Sequence, residues 1–369
     1  MLNNIYGVDI DAQAVEVTKL SLLLKVLENA SGQLELGMQR ILPDLGSNIK
    51  CGNSLVGEDY FEGKLIVDNE ERNRINPFDW AAAFPEVFAQ GGFDAVVGNP
   101  PYGAELDENA RGYLARKFHA GTTDTAALFM LYAKQLTKTN GWNGFIIPKP
   151  FAYSSNWQEI RRLQLAELQE LIDVGKVWKE VKLEQVIYFL QYNQPSEFYR
   201  SMQRIQHGFV YLADIAKSDC IKFGFYLNGI DTTELTIAHK MLSGGKFLGD
   251  YMTNVRGGMF QNAVVAQRKG KRVIGGRQVQ PFFIHEQKGF VQSDEQLPPN
   301  AFVKEDNILV QNIVAHIANP IDHIKIIATI VSDADTKELV ILDTVNQLSN
   351  KSQLSSKYIL GLLLSQLIN

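Results

Sequence analysis

The residues best placed to do chemistry lie in FDAVVGNPPYG, where Asn99-Pro100-Pro101-Tyr102 follows the apolar run Phe93–Gly98. A double proline removes two backbone N–H groups and fixes two φ angles, so it holds a turn rigid. A side-chain amide oxygen before the prolines and a prolyl carbonyl within them can both accept hydrogen bonds from one amino group. The adjacent tyrosine offers a flat face on which a base can stack. Together these groups suit an exocyclic –NH2 of a nucleobase, whose lone pair they would localise for attack. The same residues could also form an ordinary rigid loop with an aromatic plug. Two further polar residues end short apolar runs, Asp9 in IYGVDID and Asn53 in NIKCGNSL. Asp11 is the better helix cap, so Asp9 is left over for another role.

The positioning elements follow from periodicity. Strand patterns at Ile5–Ile10, Asn48–Leu55 and Phe93–Tyr102 alternate with a Leu- and Val-rich helix over about Ala12–Asn29 and another around Thr125–Thr139. Strand GFIIP, a helix over Trp157–Leu168 and strands LQELIDV and VIYFLQY come next. Such alternation predicts an α/β fold with a largely parallel sheet covered on both faces. Ligands bind such sheets at the carboxyl ends of the strands, where Asp9, Asn53 and Asn99 all fall. Past residue 195 the segments shorten and are broken by Gly, Pro and Asn, as in RGGMFQN and KGKRVIGGRQ. This predicts a second, mixed and β-rich domain, with the boundary near Tyr192–Tyr199.

Composition fits this picture. With 369 residues, 45% hydrophobic and 21% charged, the chain is neither disordered nor fibrous and has room for two domains. No apolar run is long enough to span a bilayer, and the start lacks a basic segment before an apolar one, so a cytoplasmic location is expected. Cys51 and Cys220 lack metal-ligand spacing, and none of the six histidines forms a ligand pair, so no metal is expected. The net charge of −5 hides an asymmetry: residues 1–190 sum to −7 and residues 191–369 to +2. Residues 240–290 carry nine basic side chains against Asp250 and Glu286, a local excess of +7 that suits phosphate. Arg256, Arg268, Lys271 and Arg277 are the candidates for contacts to a phosphate-bearing ligand; a solvated basic face is the alternative.

FDAVVGNPPYG resembles motif IV of the amino-methyltransferases that use S-adenosylmethionine, and GVDID and KCGNSL resemble motifs II and III. The likeness is closest to N(6)-adenine DNA methyltransferases of the TaqI type and of type IIG restriction–modification enzymes. It runs over about residues 5–190 and more weakly into a region that resembles a target recognition domain. NPPY also occurs in RNA and protein-glutamine methyltransferases.

The resemblance implies a Rossmann-like methyltransferase domain at 1–195 and a DNA-binding recognition domain at 196–369. It implies that Asp9 accepts the cofactor's ribose hydroxyls, that Asn53 binds its adenine and that Phe129 packs on that ring. It also implies that Asn99 and Pro100 take the target amine, while Tyr102 and Trp178 sandwich a base flipped from double-stranded DNA. Here the sequence departs from the family: only Met1–Asn4 precede the first strand, where a strand and glycine-rich loop, motif I, are expected. A segment truncated at both ends is therefore expected, with an upstream nuclease or methyltransferase segment of the same polypeptide as partner. A non-catalytic DNA-recognition fragment is the competing reading.

Overall fold

The computed structural model describes residues 3–28, 44–64, 67–102, 106, 108–118, 124–178, 183–292, 297–312, 326–331, 336–366 and 368. The chain divides into two compact units at 235/236.

In the first unit, β1 (Gly7–Asp9) leads into α1 (Ala12–Glu28) and pairs in parallel with β2 (Ile49–Cys51). Asp11 caps α1 as expected, its Oδ1 accepting from the Gln13 N–H at 2.8 Å. Three short helices follow: α2 (Asn69–Ile75), α3 (Trp80–Ala83) and α4 (Pro85–Ala89). Next come β3 (Phe93–Gly98), α5 (Glu108–Phe118), α6 (Thr125–Leu136) and β4 (Thr137–Pro148). After α7 (Gln158–Gln164) the chain forms β5 (Leu168–Gly175), β6 (Gln185–Gln191), β7 (Phe198–Ile205), β8 (Gly208–Ala216) and α8 (Lys217–Phe223). These strands make a six-stranded sheet of order β3-β4-β6-β5-β7-β8.

Three sequence expectations need correction. The sheet is mixed: β3 runs parallel to β4 and β5 to β7, but β6 is antiparallel to both of its neighbours and β8 to β7. The segment between β5 and β6 is too short for the crossover that a parallel pair needs. The boundary near residue 195 falls inside the first unit, because β7 and β8 extend its sheet. Finally, among the described residues the sheet is covered on one face. Along β6, Val186, Tyr188 and Leu190 are buried against α6, α7 and α8. The other face carries a shallow groove lined by Ala95, Val97, Trp142, Gly144, Glu170 and Phe189, with Val97 77% exposed. Both faces of these strands read as apolar, so sequence alone could not tell which one is packed.

Lys217, at the start of α8, is only 7% exposed and donates to the Ala166 carbonyl at 2.7 Å and to Ser196 Oγ at 2.8 Å. Burial pushes its ammonium pKa down to about 8. The unfolded chain therefore binds one more proton than the folded one between about pH 8 and 10.4, and stability rises with pH across that window by up to about 3 kcal/mol. The buried hydroxyls of Tyr188 and Tyr199 are pushed well above 10, so their contribution is lost as pH rises past about 10. Chemical denaturation against pH is expected to show a maximum at about pH 9–10. Lys217→Met should flatten the rising limb; an unchanged limb would assign it to other groups.

The second unit begins inside α9 (Thr232–Ser243) and continues through α10 (Leu248–Tyr251), β9 (Met252–Arg256), β10 (Lys271–Ile274), β11 (Val279–Gln280), β12 (Phe283–Ile284) and β13 (Gly289–Val291). It ends with β14 (Ile308–Gln311), β15 (Ala328–Ile330), β16 (Leu339–Ile341), β17 (Val345–Asn350) and α11 (Ser356–Leu363). An antiparallel sheet β15-β14-β17-β9 and a mixed sheet β13-β10-β16 share this unit with the β11–β12 hairpin. The unit is mixed and β-rich, in line with its Gly- and Pro-broken sequence. No helix among the described residues is long and apolar enough to cross a membrane.

Candidate active site

The proline turn is built from both ends of β3. At its start, Phe93 packs with Tyr6, Trp80 and Phe84, with the Tyr6–Phe93 ring centroids 5.7 Å apart, which ties the entrance of β1 to that of β3. At its end, a Cβ on Gly98 would lie 2.7 Å from the Phe145 ring, so glycine lets β3 close on β4 just before Asn99. Asn99 is exposed and Pro100 is buried. The Tyr102 hydroxyl lies 2.8 Å from Asn99 Oδ1 and 3.0 Å from the Ile146 carbonyl on β4, its one hydrogen serving either acceptor. Burial raises the Tyr102 pKa, so the hydroxyl keeps that hydrogen beyond pH 10.

Sequence reasoning missed the anchor of this turn. Thr125 Oγ1 donates to the Pro101 carbonyl at 2.7 Å, and Asp124 caps α6 through the Ala126 N–H at 2.9 Å. The Asp-Thr pair just ahead of an apolar helix was the available signal. With the Pro101 carbonyl held by Thr125, Asn99 Oδ1 and the Pro100 carbonyl remain as acceptors.

The candidate cofactor residues differ in how they are engaged. Asp9 is exposed at the carboxyl end of β1, and its Oδ1 accepts from the Asp11 N–H at 2.8 Å. Oδ2 has no partner among the described residues. Asn53 lies just past β2, but its Oδ1 accepts from the Leu55 and Val56 N–H groups at 3.1 and 3.3 Å. That oxygen is committed to its own loop, and only the amide nitrogen is left to meet a ligand. Phe129 on α6 is half-buried at the seam of two cores, one containing Phe145 and Tyr188 and the other Tyr60 and Tyr113. Tyr102 packs against the first of these. Trp178 is half-buried three residues beyond β5. Nearby, Lys149 at the end of β4 pairs with Asp173 at 2.7 Å and Glu184 at 2.9 Å. Burial pushes its ammonium pKa down and the two carboxylates more than reverse this. Among the described residues no contact joins Asp9, Asn53 or Trp178 to the proline turn.

In the second unit the four basic candidates separate into two kinds. Arg256 is tied to Asp343, its Nε 2.7 Å from the carbonyl and its Nη2 3.2 Å from Oδ2. Lys271 donates to the Lys337 carbonyl at 2.8 Å and lies over the Phe302 ring at 5.5 Å. Both cations therefore hold the fold, and their partners come from sequence far outside the 240–290 stretch. Arg268 and Arg277 are exposed and have no ion-pair partner among the described residues.

Comparison with known proteins bears on the first unit. Residues 3–178 match the model of the Eco57I restriction-modification methylase family. The type II restriction enzyme and methyltransferase RM.Eco57I of Escherichia coli is 32% identical over 181 residues, covering 46% of this chain and 17% of that protein. The type II methyltransferase M.VspI of a Vibrio species is 29% identical over 89 residues, covering 24% of this chain and 22% of that one. The chain spans about a fifth of the length of the curated relatives it matches. Among solved structures, the ATP-dependent type ISP restriction-modification enzyme LlaBIII bound to DNA aligns with a TM-score of 0.48 at 8% identity, covering 93% of this chain and 28% of that one. The proline turn and the two parallel strands thus lie in the segment that matches the Eco57I restriction-modification methylase family.

Proposed function

We propose that this chain is part of an adenine-specific DNA methyltransferase of a restriction–modification system. Residues up to 235 bind the target base and the methyl donor, and residues 236–369 hold the DNA. The observation that carries this reading is the turn itself: an exposed Asn99 followed by a buried Pro100 and a Pro101 whose carbonyl Thr125 anchors, at the carboxyl end of β3.

A target amine inside a duplex is out of reach, so the base must leave the stack. Tyr102 and Trp178 would hold its faces, each stacking contact worth about 1–3 kcal/mol. Asn99 Oδ1 and the Pro100 carbonyl would accept the two amino hydrogens and direct the nitrogen lone pair at the methyl carbon. S-adenosylmethionine, when bound, supplies that methyl as a good electrophile. Asp9 would hold its ribose through Oδ2, Phe129 would pack on its adenine, and Asn53 would contribute its amide rather than its oxygen. Positioned acceptors lower the barrier because they need no reorganisation as charge develops.

The test is incorporation of tritiated methyl groups from S-adenosylmethionine into duplex DNA by the enzyme carrying this chain, followed by digestion to nucleosides. N6-methyladenine is the expected product; methylated cytosine or methylated protein alone would overturn the reading. For the DNA-holding unit, Arg268→Gln and Arg277→Gln should each reduce the slope of log affinity against log salt by about 0.9. Unchanged slopes would return both residues to a solvated face.

A further inference from the structure

The hairpin β11–β12 carries a tip whose aromatic residues are explained neither by packing nor by the needs of the turn. Gln280 pairs with Phe283, so Pro281 and Phe282 form a two-residue loop. Proline at its first position forbids the primed turns that hairpins prefer. The loop instead places Phe282 at φ 71°, a position that normally selects glycine and that strains a bulky side chain. The strained backbone is nevertheless pinned. The Phe282 N–H donates to the Ala328 carbonyl at 3.1 Å, the His285 N–H to the Gln278 carbonyl at 2.8 Å, and Gln280 Nε2 to the Arg277 carbonyl at 3.0 Å. Pro281, Phe282 and Phe283 are all exposed, the two rings by 66% and 54%. Arg277 and Lys288 flank them within the stretch of local charge +7. Glu286 is the one acid in this hairpin region, and a rigid, exposed aromatic tip in a stretch of net positive charge is complementary to stacked bases between phosphates.

We propose that the Pro281–Phe282–Phe283 tip is an aromatic wedge that enters a base step of duplex DNA, with Arg277 and Lys288 on the adjacent phosphates. This rests on the DNA-holding role proposed for the second unit. Strain that persists on a pinned backbone at an exposed position marks a place where function, not folding, selects the residue.

The test uses the full 369-residue chain, a closed circular plasmid and topoisomerase I, because a wedge unwinds DNA and changes the linking number of the relaxed product. The unsubstituted chain should shift the linking number. Phe282→Gly suits φ 71°, so it should keep or raise the melting temperature, abolish the shift and weaken plasmid binding by about 5- to 150-fold. Phe283→Ala should reduce the shift in part. If the unsubstituted chain binds plasmid without a shift, or if Phe282→Gly shifts it equally, the wedge is overturned and the DNA-holding role stands. No plasmid binding by the unsubstituted chain would overturn both. If Phe282→Gly instead dissolves a dimer seen by light scattering and leaves the linking number unaffected, the tip belongs to a protein interface and the wedge fails.

Discussion

Asn99→Ala is expected to lower methyl transfer to duplex DNA by a factor of about 10²–10³, the usual loss when one preorganised hydrogen-bonding group is removed from a reacting centre. The effect should fall on kcat more than on KM, because the acceptor gains most as the amine nitrogen develops charge. The fold should survive: the Tyr102 hydroxyl keeps its second acceptor, the Ile146 carbonyl, and Pro101 stays anchored by Thr125. Tyr102 then separates two roles. Tyr102→Phe keeps the ring and should retain most of the transfer, whereas Tyr102→Ala removes the stacking face and should lose transfer and base binding together. Since burial raises the Tyr102 pKa, its ionisation should not bend the rate profile below pH 10. Full activity of Asn99→Ala at a normal KM would remove the amine-acceptor role from the turn.

The turn was legible because its geometry is local: two prolines between an amide and a ring, within four residues, fix it. The α1 cap was legible for the same reason, since Asp11 reaches a backbone N–H two residues away. What could not be read depends on partners distant in sequence. Asn53 looks like an acceptor for a ligand until the turn after β2 folds back on its oxygen. Arg256 looks like a phosphate contact until Asp343, 87 residues further on, arrives beside it. The sheet direction failed similarly, because apolar strands with short connections read alike whether parallel or antiparallel. The boundary near 195 followed a change in rhythm, but β7 and β8 still add their edges to the first sheet. Charge counting over a stretch gives the sum that phosphates feel, yet it cannot say which cations are already held.

Arg161 is the strongest case of a role hidden from sequence, and its removal should produce the largest loss of stability. In QEIRRLQ it is one of two adjacent arginines on a short helix, yet it is only 4% exposed. Its Nη1 donates to the Phe151 carbonyl at 2.8 Å and to the Ser154 carbonyl at 2.7 Å, and Nη2 to the Gly224 carbonyl at 3.4 Å. The Tyr226 hydroxyl donates to the Arg161 carbonyl at 2.5 Å. Burial pulls the guanidinium pKa down, but from so high a value that it stays charged at any pH at which the protein folds. One planar fork therefore fixes the turn that follows β4 and joins it to the end of α8. Arg161→Met keeps the apolar stem but strands the buried Phe151 carbonyl and removes the bonds to the Ser154 and Gly224 carbonyls, at a cost of about 3 kcal/mol. For a unit of this size that corresponds to a fall in melting temperature of about 6–12 °C. Arg161→Lys should recover only part of the loss, since a single ammonium cannot span carbonyls arranged for a fork. A melting temperature within 2 °C of the unsubstituted protein, about what 1 kcal/mol or less produces, would show that the carbonyls find other donors and that Arg161 is dispensable to the fold.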